Sequence, residues 1–171
     1  MPYRVMVVCT GNICRSPMAE VVLRERFAAA GLAEQVVVDS TGISDEEQGH
    51  GIDRRARAAL RARGYPGGDA HRARQVRASE LPARDLVLAM TSVHARALRR
   101  LAGEADVAAR VRMYRSFDPS APRVEPGAPE HVLDVDDPWY GGPREFELCL
   151  DQVEAAADAV VEHVRAALDW E

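Results

Sequence analysis

The sequence predicts an α/β fold: one domain, with a four-stranded parallel sheet in the order 2-1-3-4 flanked by helices on both faces. Three observations lead to the class. Short apolar or β-branched runs alternate with helix-like segments along the chain, as in a parallel sheet covered by helices. The first run, Val5 to Val8, is continuously apolar, which is how a strand buried on both faces reads. It leads through a short polar stretch to a helix start, so residue 9 stands at the carboxyl end of a strand, where such folds bind ligands. A chain of 171 residues fits one domain.

The elements follow in order. After the first strand, Ser16 has the chemistry of an N-cap and Pro17 suits the first helical position, so a helix is expected over 17–30. Met18, Val21, Val22 and Phe27 lie on its apolar face, and Gly31 stops it. Val36-Val37-Val38 reads as the second strand, ending at Asp39-Ser40-Thr41-Gly42, with an exposed loop over 44–51. A helix is expected over 53–63, capped by Asp53 and stopped by Gly64 and Pro66. Residues 85–90 read as the third strand, 92–101 as a helix, and 111–114 as the fourth strand. Between 117 and 138 the chain is rich in proline and acidic residues, a loop long enough to suspect function. Pro143 opens a last helix to about residue 167, with Phe146, Leu150, Val153, Val160 and Val164 at helical spacing and Cys149 in its core face.

Composition narrows the class. Hydrophobic content of 47% with 29% charged residues is that of a globular protein. A net charge of −5 argues against a general nucleic-acid binder, although arginines cluster from Arg54 to Arg77. No apolar run approaches the roughly 18 residues of a membrane span, and the first strand leaves no room for a signal peptide. Three cysteines without metal-type spacing point to a reducing compartment. A cytoplasmic monomer without metal or cofactor is expected.

The chemistry concentrates in Cys9-Thr10-Gly11-Asn12-Ile13-Cys14-Arg15-Ser16-Pro17. A strand, a tight loop and a helix N-terminus make an anion cradle from loop amides and the positive end of the helix dipole. Gly11 permits close backbone approach, and Asn12 tolerates left-handed backbone or ties the loop with its side chain. A cysteine on the floor, with an arginine six residues on, sets a nucleophile against a bound oxyanion. The guanidinium can grip that anion with two prongs, and its charge favours the thiolate. This is the layout of a phosphatase loop. An ATP-type G-x-x-x-x-G-K-[ST] loop is excluded because all 22 basic residues are arginine. Cys9 and Cys14 are too far apart for a Cys-x-x-Cys redox motif.

Val8 to Glu20 resembles the signature loop of the low-molecular-weight protein tyrosine phosphatases, and later matches extend the resemblance from about residue 4 to 165. The resemblance implies a phosphatase acting on phosphotyrosine-containing proteins or peptides, inhibited by phosphate and other oxyanions. Cys9 would attack phosphorus while Arg15 and the amides of Thr10, Gly11, Asn12, Ile13 and Cys14 hold the oxygens, with Ser16 donating to the thiolate. Asp137, in Asp136-Asp137-Pro138-Trp139-Tyr140-Gly141-Gly142, resembles the family's general acid, and Trp139 and Tyr140 would wall the substrate pocket. By the same matching, Ser40 and His71 would hold Asn12, and Cys14 resembles the loop cysteine that pairs reversibly with the nucleophile.

The sequence also departs from the family pattern. Glu46 stands where a tryptophan often packs on the substrate ring, and the acidic stretch around it should disfavour acidic phosphopeptides. Met90-Thr91 stands where aspartate commonly follows methionine, and the stretch from 117 to 135 is longer than usual. Arsenate reductases of this fold need two further cysteines near the third strand, and none occurs between 76 and 100. Arginine phosphatases typically carry threonine where Ile13 stands. A weakly active phosphotyrosine-binding module, or a redox-sensing pair of Cys9 and Cys14, is the reading from a different class.

Overall fold

The computed structural model describes residues 1–170 and centres on four parallel strands in the order β2-β1-β3-β4, the expected class and topology. β1 (Tyr3–Cys9) is the central strand, and Val5 to Val8 are fully buried. Because side chains alternate across a strand, Val5, Val7 and Cys9 enter one core and Met6 and Val8 the other. β2 (Val36–Gly42) continues past its valine triplet because it stays in register with β1, pairing Val7 with Ser40 and Cys9 with Gly42. β3 (Leu86–Ala89) and β4 (Val111–Met113) complete the sheet on the other side of β1.

Helices cover both faces. α1 (Arg15–Ala29) and α5 (Pro143–Leu168) bury Met18, Leu23, Phe27, Phe146, Leu150 and Val153 in one core, with α2 (Arg54–Ala62) lying against α5. α3 (Ser92–Ala102) and the single turn α4 (Ala105–Ala108) pack on the other face with Leu81, Leu98, Val107 and Met113. Each of these large side chains contributes roughly 1.5–3 kcal/mol on full burial. Asp53 caps α2 as expected, accepting from the Arg55 amide at 2.8 Å.

Three local expectations need correction. α1 starts at Arg15, and Ser16 is not its cap: Cys14 holds the N-cap position without a side-chain cap, and the Ser16 hydroxyl turns into the loop instead. Tyr114 leaves the fourth strand for a 3₁₀ turn (Tyr114–Phe117), where its buried hydroxyl donates to the Val153 carbonyl at 2.8 Å. The long stretch before α5 carries 3₁₀ turns at His131–Leu133 and Pro138–Tyr140. Its distal part is fixed to the sheet: Val135 N–H donates to the Met90 carbonyl at 2.9 Å, and Asp134 accepts from the Ser92 amide at 2.7 Å at the start of α3.

Candidate active site

β1 ends at Cys9, and the loop from Thr10 to Cys14 turns back over the carboxyl edge of the sheet into α1. The turn is tight against β2. A Cβ on Gly42 would lie 2.5 Å from the Thr10 carbonyl oxygen, so only glycine fits there. Asn12 is left-handed at φ 59 and wholly buried. Its amide nitrogen donates to Ser16 Oγ and Ser40 Oγ, both at 2.9 Å, and its Oδ1 accepts from the Arg74 amide at 3.1 Å. His71 Nε2 donates to the Asn12 carbonyl at 2.7 Å. Ser40 and His71 therefore meet Asn12 as the resemblance implied, and the Arg74 amide joins them. The segment carrying His71 and Arg74 is tied to β2 by Asp39, which pairs with Arg74 at 3.0 Å and Arg84 at 2.6 Å.

Cys9 Sγ lies 3.0 Å from Ser16 Oγ. Ser16 Oγ accepts from Asn12, and its own proton has two acceptors within reach, the sulfur and the Thr41 carbonyl at 3.3 Å. Arg15 is buried; it donates to the Val135 carbonyl at 2.9 Å and to Thr10 Oγ1 at 3.4 Å, and lies 3.6 Å from Asp137. One guanidinium thus spans the loop that holds the cysteine and the loop that holds the carboxylate. Asp137 caps its own 3₁₀ turn, accepting from the Trp139 amide at 3.1 Å. Cys9, Thr10, Gly11, Ile13, Cys14, Arg15, Glu46, Asp137, Trp139 and Tyr140 surround one pocket of about 190 Å³ together with Glu47. Trp139 and Tyr140 pack edge to face at 5.0 Å, and both present apolar surface at the mouth, with Tyr140 84% exposed. Burial, reinforced by Asp53, pushes the Cys14 thiol well above its ordinary range, and burial pushes Cys149 up to about 12. Among the described residues, no group of three or more His, Cys, Asp or Glu side chains is arranged to hold a metal ion. No helix among them is long and apolar enough to cross a membrane.

The structure adds residues that the sequence did not single out. Arg55 chelates Asp53, donates to the carbonyls of Trp139 (3.2 Å) and Gly141 (3.1 Å), and stacks 4.7 Å from the Phe146 ring centroid. It clamps the carboxylate loop to α2. His94, buried in α3, reaches Thr10 Oγ1 at 2.8 Å, and burial together with Arg15 pushes its imidazole down to about 3. The sole sequence signal for His94 is its place beside the buried positions Ala95 and Leu98.

Fold and loop together define a class, a phosphatase whose anion cradle follows the first strand. The low molecular weight phosphotyrosine protein phosphatase family matches residues 4–169, and the chain belongs to that family. It is 48% identical over 165 residues to the low molecular weight protein-tyrosine-phosphatase of Streptomyces coelicolor, covering 96% of this chain and 95% of that protein. It is 46% identical over 155 residues to the low molecular weight protein-tyrosine phosphatase A of Mycobacterium tuberculosis, covering 91% and 87%. Among solved structures, a protein tyrosine phosphatase from Entamoeba histolytica with Hepes in its active site superposes with a TM-score of 0.86 at 26% identity, covering 96% of this chain and 98% of that one.

Proposed function

We propose that this chain hydrolyses phosphotyrosine in proteins or peptides through a cysteinyl-phosphate intermediate, without a metal. The observation that carries the reading is the convergence of Cys9, Arg15 and Asp137 on one pocket, with Ser16 3.0 Å from the cysteine sulfur. In the first step the Cys9 thiolate attacks phosphorus, forming the S–P bond as the P–O bond to the phenol breaks. The loop amides and Arg15 hold the equatorial oxygens. A phenolate with pKa near 10 is a poor leaving group, so Asp137 gives it a proton as it departs. In the second step the Asp137 carboxylate takes a proton from water, and the resulting hydroxide equivalent cleaves the S–P bond. Ser16 steadies the thiolate that is released, and phosphate leaves.

The Arg15–Asp137 contact fits this sequence of events. An incoming phosphate takes over the guanidinium, and Asp137 is left facing the leaving oxygen rather than its partner. Glu46 and Glu47 at the pocket give the site a negative rim, which disfavours peptides with acidic residues beside the phosphotyrosine. Cys9 and Cys14 line the same pocket, and we assign them a reversible disulfide under oxidation. The chain is taken to act as a one-domain monomer in a reducing cytoplasm, the compartment that suits three buried, unpaired cysteines.

The test is steady-state hydrolysis of p-nitrophenyl phosphate, phosphotyrosine peptides and phosphoarginine in the presence of a chelator. Activity on the aryl esters that disappears in Cys9→Ser, with phosphate still bound, supports the reading. Activity confined to phosphoarginine would shift the substrate to a guanidinium phosphate. No turnover of any ester by the wild type would refute it.

A further inference from the structure

Thr10 is the first residue of the cradle, and its side chain lies in a chain of hydrogen bonds that runs away from the pocket. Arg15 donates to Thr10 Oγ1 at 3.4 Å, and His94 Nε2 stands 2.8 Å from the same oxygen. His94 is 3% exposed, and its other ring nitrogen, Nδ1, is buried with no hydrogen-bond partner. A neutral imidazole carries one N–H. Placed on Nδ1, that proton would be a buried donor without an acceptor, whereas on Nε2 it has Thr10 Oγ1 to donate to. The second proton of an imidazolium is disfavoured by burial and by the Arg15 charge. With Arg15 and His94 both donating, the acceptor capacity of Thr10 Oγ1 is filled. Its own hydroxyl proton then needs an acceptor elsewhere, and the pocket that Thr10 lines is where an oxyanion would supply one.

We propose that His94 is a positioning residue. It donates from Nε2 to Thr10 Oγ1 and so turns the Thr10 hydroxyl proton onto the oxyanion held in the cradle. The inference rests on the phosphatase reading above and extends it: a side-chain hydroxyl joins Arg15 as a donor to the bound anion, and a histidine outside the pocket sets its direction.

Two independent measurements test it. In ¹⁵N-labelled wild-type protein, imidazole spectra with and without phosphate should show His94 as the neutral Nε2–H tautomer, a readout that needs no activity. In kinetics, Thr10→Val should weaken competitive inhibition by inorganic phosphate roughly tenfold, the loss expected for one hydrogen bond to a charged group, while Thr10→Ser retains it. His94→Leu should weaken phosphate inhibition by less than Thr10→Val does. His94→Gln, whose amide can donate from the same place, should restore it to within about twofold of wild type. The double variant Thr10→Val/His94→Leu should bind phosphate no more weakly than Thr10→Val alone, because His94 acts through that hydroxyl. A proton found on Nδ1, additive losses in the double variant, or no effect of Thr10→Val would overturn the proposal. If His94→Leu fails to fold, the tautomer and the Thr10→Val and His94→Gln variants still decide. Wild-type protein that neither turns over p-nitrophenyl phosphate nor binds phosphate would remove the phosphatase reading and the proposal with it. An active wild type with additive variants would remove the proposal alone.

Discussion

Asn12→Ala should cost about 4 kcal/mol of stability, at about 1 kcal/mol for each of three hydrogen bonds and about 1 kcal/mol for the backbone. The side chain is fully buried and makes two donations at 2.9 Å, to Ser16 and Ser40, and one acceptance at 3.1 Å, from the Arg74 amide. Alanine removes all three and must also hold φ 59, a conformation asparagine tolerates far better. Asn12→Gly separates the two contributions, since it loses the same bonds but not the backbone penalty, and should recover about 1 kcal/mol relative to alanine. Urea denaturation at neutral pH, followed by tryptophan fluorescence, measures both variants against wild type. With a stability of about 5–15 kcal/mol for a domain of ordinary robustness, both should still fold at 25 °C. Turnover should collapse in both, because the loop carrying Cys9 and Arg15 loses the side chain that ties it to Ser16, Ser40 and the Arg74 amide. Equal stabilities of the alanine and glycine variants would refute the backbone part. A loss below about 1 kcal/mol in either would refute the claim that this side chain holds the loop.

Other outcomes follow from the same geometry. Asp137→Asn should lower kcat/KM for phenyl phosphate roughly 10²-fold or more, and for p-nitrophenyl phosphate much less, since only the poorer leaving group needs the proton; equal effects on kcat/KM for both esters would remove the acid assignment. Arg55→Ala should lower kcat for phenyl phosphate while leaving inhibition by phosphate unchanged, because it frees the carboxylate loop without touching the cradle; a parallel loss of phosphate binding would contradict this. His94 is held below the ordinary histidine range, so the unfolded chain binds the extra proton and stability falls as pH drops below about 6.5. At pH 5 the wild type should have lost about 2 kcal/mol that His94→Gln does not lose, as read from urea midpoints at pH 5 and 7.5.

The sheet was legible because its signals are local. Val5 to Val8 and Leu86 to Ala89 are continuous apolar runs, and a strand buried on both faces needs nothing else to declare itself. Cys9, Arg15 and Asn12 were legible for a related reason, since the loop that makes them useful is contiguous in sequence. Asp137 was singled out through family resemblance, as its local text alone favours a proline-glycine turn with solvated carboxylates. Ser16 was misplaced as a cap because capping propensity considers only the adjacent helix, whereas tertiary contact gives this hydroxyl Asn12, Cys9 and the Thr41 carbonyl as partners. Arg55 and His94 were invisible because their partners, the carbonyls of the carboxylate loop and Thr10, lie 84 to 86 residues away. Nothing in a short window marks a guanidinium that will bind backbone oxygens, or a histidine whose ring reaches the loop after a neighbouring strand.

The anchoring of Asp134 and Val135 to the start of α3 and the end of β3 separates two properties of the long stretch before α5. The reach of Asp137 into the pocket is fixed from the sheet side by Ser92, Met90 and Arg15 and from α2 by Arg55, and not by the path of residues 125–129. Between Val124, which packs on the second core, and Glu130, which pairs with Arg99 at 2.6 Å, residues 125–129 are exposed, and chain length there is a free variable. Related chains could lengthen or trim it without moving Asp137, and a protein engineer could place a peptide tag or a reporter there while the pocket keeps its dimensions.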